Sequence, residues 1–261
     1  MQLTWYGTAG FRIETAGQAV LIDPYLTRSA AARPHLAIGP ADVRSADAIF
    51  VSHGHFDHAL DVPQIASQPR ATVYCSATTA RTLARHGLDR RQIRVVTPGA
   101  RFDLGAITAQ CFAASHVRFD LRLIAVTLKR ALPQIPALIR PVLTWPAGPV
   151  LAWRFTMTEE DDRIVQHMGS AGCTREELAR LQDERQPDVL MVPLQGHTRI
   201  CQIAARIVAR LAPRLVIPHH HDDSIPPITH RVDIEPFVDA VEHLTPPVEL
   251  KQLPMGTPVT V

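Results

Sequence analysis

Short apolar and alternating runs punctuated by glycine open the chain. Gln2–Tyr6, Phe11–Glu14 and Ala19–Ile22 read as strands, separated by Gly7, Gly10 and Gly17. The continuous apolar run Ala48–Ser52 predicts a buried strand that delivers His53 at its carboxyl end, and Ala71–Cys75 predicts another. Ser76 is placed to cap a helix that stops at Gly87, since a serine hydroxyl takes a free amide of the first turn and glycine accepts the left-handed conformation past the last. Ile93–Val96 and Ile107–Phe112 continue the β pattern. In the second half, Leu151–Thr158 and Arg163–Met168 predict a hairpin across Glu159–Asp162, and Thr174 with Glu177 makes a capping box for a helix running toward Glu184. Asp188–Pro193 and Arg214–Pro218 predict strands, Ile200–Leu211 and Ile234–Leu244 helices, and Val248–Leu253 a closing strand. Strands with interleaved helices in both halves predict an α/β fold, two sheets packed face to face with helices outside.

One stretch breaks this rhythm. Val117–Val150 carries Pro133, Pro136, Pro141, Pro146 and Pro149, which exclude one long helix. It also carries Arg118, Arg122, Lys129, Arg130 and Arg140 against a single acid, Asp120. An apolar, basic and interrupted segment between strand-rich regions reads as an insertion within one domain spanning residues 1–261. It would serve as a lid over a site or as an interface in a homo-oligomer.

Composition narrows the function classes. With 261 residues, 46% of them hydrophobic, the chain can bury a large core. A net charge of +2 and the absence of a long basic block argue against nucleic acid as a partner. The amino terminus lacks a basic region followed by an apolar stretch, and no run reaches the length of a membrane span; the expectation is a cytoplasmic protein without a transmembrane segment. Cys75, Cys111, Cys173 and Cys201 are scattered and form no CxxC pair, which reads as reduced thiols. Histidine stands out: six of the 13 fall in two short clusters, at 53–58 and 219–221.

The run His53-Gly54-His55-Phe56-Asp57-His58 places four metal-binding side chains within six residues of a strand end. In extended backbone His53 and His55 point the same way, because side chains repeat with period two, and can share one metal. Asp57 and His58 then follow on a turn and face a second. Imidazole and carboxylate suit zinc, with manganese or iron as alternatives, and need no thiolate.

Together with this run, the opening Gly7–Glu14 (GTAGFRIE), Val20–Leu26 (VLIDPYL), Ser52–His58 (SHGHFDH) and Leu215–His220 (LVIPHH) resemble the metallo-β-lactamase superfamily. Within it they are similar to the ascorbate-6-phosphate lactonase-like branch, which neighbours phosphodiesterases resembling the N-acyl-phosphatidylethanolamine phospholipase. The resemblance implies an αββα sandwich with the metal site at one edge of two mixed sheets. It implies that His116 completes the first site with His53 and His55. It also implies that His220 joins Asp57 and His58 in the second, with His219 and His221 as neighbours that leave the last ligand uncertain by one place. Asp23 matches the acid that orients a ligand histidine, although an aspartate before Pro24 can equally stabilise a turn. Asp222 and Asp223 are candidates for groups behind the ligands, or solvated charges, the second reading being preferred.

Ser170 departs from the family pattern. It stands in Gly169-Ser170 where the superfamily has an aspartate bridging both metals, so the second ion should bind more weakly unless His167 or Asp222 compensates. The expected chemistry is attack by a metal-activated water on an ester-type bond, phosphodiester or lactone, of a partly lipophilic anionic substrate, with Asp57 as proton acceptor. His197 is a candidate substrate contact or a surface loop residue. Trp145 and Trp153 are candidates to roof the site with the insertion. The alternative is a degenerate, mononuclear sensor or scaffold of the same fold.

Overall fold

The computed structural model describes residues 1–43, 45–67, 71–131, 143–226 and 229–261. Its first sheet takes strands β1 (Gln2–Gly7), β2 (Gly10–Thr15), β3 (Gln18–Ile22), β4 (Ala48–Phe50), β5 (Thr72–Cys75) and β6 (Ile93–Val95). The second takes β7 (Arg101–Asp103), β8 (Ile107–Ala114), β9 (Val150–Met157), β10 (Arg163–Met168), β11 (Val189–Pro193), β12 (Leu215–His219) and β13 (Glu249–Leu250). Strand β14 (Pro258–Thr260) returns to the first sheet, giving the orders β14-β1-β2-β3-β4-β5-β6 and β13-β12-β11-β10-β9-β8-β7.

Period-two patterning explains the layering. Along β9, Leu151, Trp153, Phe155 and Met157 enter the core between the sheets, while Val150 and Ala152 face the helices outside. Trp153 is fully buried, with its ring centroid 4.8 Å from that of Phe50. Truncating such a side chain to alanine costs about 3–5 kcal/mol. It is therefore a core residue, and the expectation that it roofs the site is corrected. Outside the second sheet lie α5 (Arg175–Gln182), α6 (Ile200–Leu211) and α7 (Glu235–Glu242); against the first lie α2 (Val62–Ser67) and α3 (Ala77–Arg85), after the one-turn α1 (Phe56–Ala59). Two mixed sheets packed face to face and flanked by helices are the architecture that the resemblance implied.

Several boundaries differ from the sequence reading. The closing strand is not Val248–Leu253; only Glu249–Leu250 pairs there, and the last strand is β14, whose partner is β1. Helix α4 (Leu121–Ala131) occupies the front of the insertion, ahead of all its prolines. Pro133, Pro136, Arg140 and Pro141 lie outside the described residues. All four cysteines are free; burial pushes the thiols of Cys75, Cys111 and Cys173 up to about 12.

The sheets set the site. Strands β1, β3 and β4 run parallel to one another, as do β8, β10, β11 and β12 in the second sheet, so the loops at their carboxyl ends gather along one edge.

Candidate metal centre

Backbone contacts hold the histidine loop rigidly. Past β4, Val51 N–H donates to the carbonyl of Tyr74 (2.9 Å) and Leu151 N–H to that of Ser52 (2.8 Å), which fixes the approach to His53. Gly54 N–H donates to the Ala147 carbonyl at 2.7 Å, and a Cβ at Gly54 would lie 2.3 Å from the Pro146 oxygen; only glycine lets the two backbones meet. His55 is the N-cap residue of α1, so Asp57 and His58 project from a helical turn rather than from the open turn expected. His116 follows β8, where Gly172 abuts its carbonyl carbon, 2.2 Å from where a Cβ would stand. His220 follows β12 with φ +57°.

These loops assemble two triads. Ligand atoms of His53, His55 and His116 lie within 4.8 Å of one another, and so do those of Asp57, His58 and His220. The rings of His53 and His58 link the triads, with centroids 3.9 Å apart. Hydrogen bonds select which nitrogens stay free. His58 Nδ1 donates to Asp23 Oδ2 at 2.8 Å and His116 Nδ1 to the Val117 carbonyl at 2.8 Å, leaving each Nε2 available. Ser52 Oγ donates to Asp23 Oδ2 at 2.5 Å and takes the His53 Nδ1 proton at 3.0 Å. His53 Nε2 and His55 Nδ1 then stand 3.1 Å apart. An Nδ1 proton of His55 closes this contact as a hydrogen bond, and a cation held by the three imidazoles can take its place. Three imidazoles with ligand atoms this close fit a bound cation.

Electrostatics point the same way. Burial, reinforced by the charges of His58, His55, His116 and His220, holds His53 well below the ordinary histidine range. Burial brings His55 down to about 4 and lowers His116. These rings are neutral ligands at pH 7. Burial also opposes charge on His58, but Asp23 and Asp57 outweigh it and raise its pKa. Burial opposes the Asp57 carboxylate too; His58 and the hydrogen bond and charge of His220, 3.4 Å away, overcome this and lower its pKa.

Asp23 is fully buried and accepts from Ser52 N–H (2.7 Å) as well as from His58, so it both ties the strand-end loop and orients an imidazole. Of the three consecutive histidines, His220 is the one in a triad. His219 stacks on His167 (5.0 Å) and His221 on Trp5 (5.0 Å). Ser170 is buried and its Oγ accepts from Val117 N–H at 2.9 Å, beside His116. Both candidate compensators are partly engaged and outside the triads. His167 Nε2 donates to the Ala9 carbonyl (3.2 Å) while its Nδ1 has no hydrogen-bond partner, and Asp222 accepts from Thr8 N–H (2.9 Å) through Oδ1 and faces Arg28 with Oδ2. Asp222 is therefore not the solvated charge its setting suggested. Ser52 and Thr8 fell within quoted motifs without a role of their own, and Arg28 lay outside them.

A cleft of about 780 Å³ opens from His55, Asp57 and His220, within the range of small-molecule sites. Phe119, Leu123 and Trp145 give it apolar wall, and His197 lines it. His197 Nδ1 lies 3.2 Å from Asp120, which also receives Thr198 N–H and caps α4 through Leu123 N–H. A second cavity, about 690 Å³ between Arg12, Glu14 and Glu160, holds no such ligand cluster among the described residues.

The model of the beta-lactamase superfamily domain matches residues 2–220, and the chain belongs to that family. The class that fold and site define is that of metal-dependent hydrolases of the metallo-β-lactamase fold. A UPF0173 metal-dependent hydrolase from Methylobacterium nodulans is 29% identical over 93% of this chain and 92% of its own length. Among solved structures, Igni18, a metallo hydrolase from Ignicoccus hospitalis, aligns with TM-score 0.72 at 20% identity, covering 99% of this chain and 97% of that one. An isothiocyanate hydrolase from Delia radicum gut bacteria aligns with TM-score 0.68 at 19% identity, covering 100% and 99%. At these identities the structural likeness speaks for the fold alone.

Proposed function

We propose that this chain hydrolyses an ester-type bond, a phosphodiester or a lactone, in a partly lipophilic anionic substrate. The observation that carries this reading is the pair of ligand triads at the floor of an apolar-walled cleft. His53, His55 and His116 would hold the first cation, zinc or alternatively manganese or iron; Asp57, His58 and His220 would hold a second, more weakly. A divalent cation held there supplies a water of lowered pKa and polarises the bond under attack. The residues do the rest. Asp23 and the Val117 carbonyl fix the His58 and His116 rings, so no reorganisation is needed when substrate arrives. Asp57, kept as a carboxylate by His58 and His220, takes the proton of the attacking water wherever a second cation does not fully engage it.

The cleft supports the substrate class. Phe119, Leu123 and Trp145 exclude water and favour an apolar group, while Arg122, Arg199 and Arg231 line the same space, and none of the three makes an ion pair among the described residues. Helix α4 supplies Arg122 and Leu123, so the front of the insertion forms one wall and would act as a lid. His197, held beside Asp120, is a substrate contact in this reading.

Metal analysis of the purified protein, with a screen of phosphodiesters, lactones and thioesters, tests the proposal. Hydrolysis of anionic members is expected, and Arg122→Ala should raise their KM severalfold with kcat unchanged, as loss of uniform binding does. Bound metal without turnover across the panel would contradict the enzyme reading and favour the sensor or scaffold.

A further inference from the structure

We propose that Asp222 is a positioning residue for the second triad and that it acts through the backbone of Thr8. This rests on the reading of His220 and Asp57 as metal ligands. Thr8 lies in the loop between β1 and β2, fully buried, with φ +44°, a left-handed conformation that costs a β-branched residue about 1–3 kcal/mol and persists only where its surroundings enforce it. Three contacts enforce it. Asp222 Oδ1 accepts from Thr8 N–H at 2.9 Å, Trp5 Nε1 donates to the Thr8 carbonyl at 2.9 Å, and His220 N–H donates to that same carbonyl at 2.9 Å. The Thr8 hydroxyl reaches the Asp57 carbonyl at 3.5 Å. That hydroxyl gives its shorter bond to the Gly7 carbonyl at 2.8 Å, so Thr8 meets the Asp57 loop only at its margin. It holds His220 directly through its carbonyl, while the Asp222 carboxylate fixes its N–H.

Arg28 lets a carboxylate sit there. Arg28 Nη1 is 2.6 Å from Asp222 Oδ2, in side chains 4% and 1% exposed, and Arg28 Nη2 donates to the Asp223 carbonyl at 3.3 Å. The pair is a charge contact more than an aligned hydrogen bond, since neither Arg28 Nη1 nor Asp222 Oδ2 has a hydrogen-bond partner. Gly7 makes the space: a Cβ there would lie 2.2 Å from Arg28 Nη1. A buried ion pair is an inefficient device for stability, because desolvation offsets the attraction, so its presence calls for another role. Holding His220, itself at φ +57°, is the role the contacts describe. Among the described residues, no hydrogen bond or ion pair joins His53, His55 or His116 to Thr8, Arg28 or Asp222.

The test uses the full chain carrying Asp222→Ala and, because a lone buried Arg28 can unfold the protein, the double variant Arg28→Met/Asp222→Leu, which replaces the pair with apolar volume. Two readouts are taken. In metal-free protein, amide hydrogen exchange at His220 should speed up at least tenfold in the folded variant, while the β9–β10 amides keep wild-type protection. In zinc titrations, affinity at the second site should fall about tenfold or more, with the first unchanged. Unaltered exchange at His220 would overturn the proposal whatever the metal content. Equal losses at both sites would overturn it too, by showing a merely structural pair. His220→Ala in the same titrations separates the underlying assumption: if it spares the second ion, the ligand assignment fails rather than the clamp.

Discussion

His53, His55 and His116 are three neutral imidazoles held by short loops whose backbones are pinned to neighbouring strands, whereas Asp57, His58 and His220 bring one charge and depend on buried carboxylates behind them. The first set is shaped by chain geometry: Gly54 against Pro146 and Gly172 against His116 leave the rings little freedom. The second is shaped by electrostatics: Asp23 holds His58, and Asp222 contacts the Thr8 backbone that receives His220 N–H. In the proposed reading, Ser170, bonded to Val117 N–H, takes the place of an aspartate that would join two ions. The comparison teaches that adjacent triads of similar composition need not be equivalent. One is organised by backbone packing, and the other, on the proposed reading of Ser170, lacks a charge that would tighten it.

The largest effect expected is at the first triad. His116→Ala should remove the first ion and reduce hydrolysis to background, because an open catalytic site keeps only three protein ligands. Elemental analysis and turnover check it together; wild-type metal content in the variant would break the assignment of the triad. A smaller and asymmetric effect is expected behind the second triad. Asp23→Asn should cost about 10–100-fold in affinity for the second ion, the usual toll for an orienting carboxylate, with a lesser effect through Ser52 on the first. A larger loss at the first ion than at the second would reverse the comparison.

Acid should separate the triads next. Protons and metal compete for the same ring nitrogens. His55 titrates at about 4, and His53 and His116 lie below the ordinary range, so these rings stay open to metal as the pH falls from about 7.5 to about 5.5. His58 lies above the ordinary range and takes its proton first. The second ion should therefore leave before the first, as measured by metal retained through gel filtration across that range. Release in the opposite order would mean that the charges around His58 do not govern the second site.

How much of this the sequence disclosed depends on range. Local patterns were legible: Arg163–Met168 and Ile200–Leu211 form the strand and helix that their periodicity predicts, and Ser76 and Thr174 cap their helices through their side chains as their spacing predicts. The six residues of the two triads were also named from motif and resemblance, and the fold brings them together. Strand β14 was not legible, because three residues beginning with proline carry no pattern and gain strand character only by pairing with β1. Helix α4 was hidden by prolines that all come after it. The contact between Thr8 and Asp222 was the least legible: Asp222 was named as a candidate behind the ligands, but its partner lies 214 positions away and nothing local announces it.

The most direct test of unequal triads is a stepwise zinc titration of the metal-free wild type beside Ser170→Asp, followed by calorimetry with elemental analysis. Ser170 Oγ lies beside His116, where a carboxylate would add a charged ligand in a partly dry site and raise attraction several-fold over that in water. The account predicts one tight step and one weaker step in the wild type, with the weaker ion lost on dialysis, and two tight steps in the variant. Two equally tight steps in the wild type, unchanged by Ser170→Asp, would contradict it.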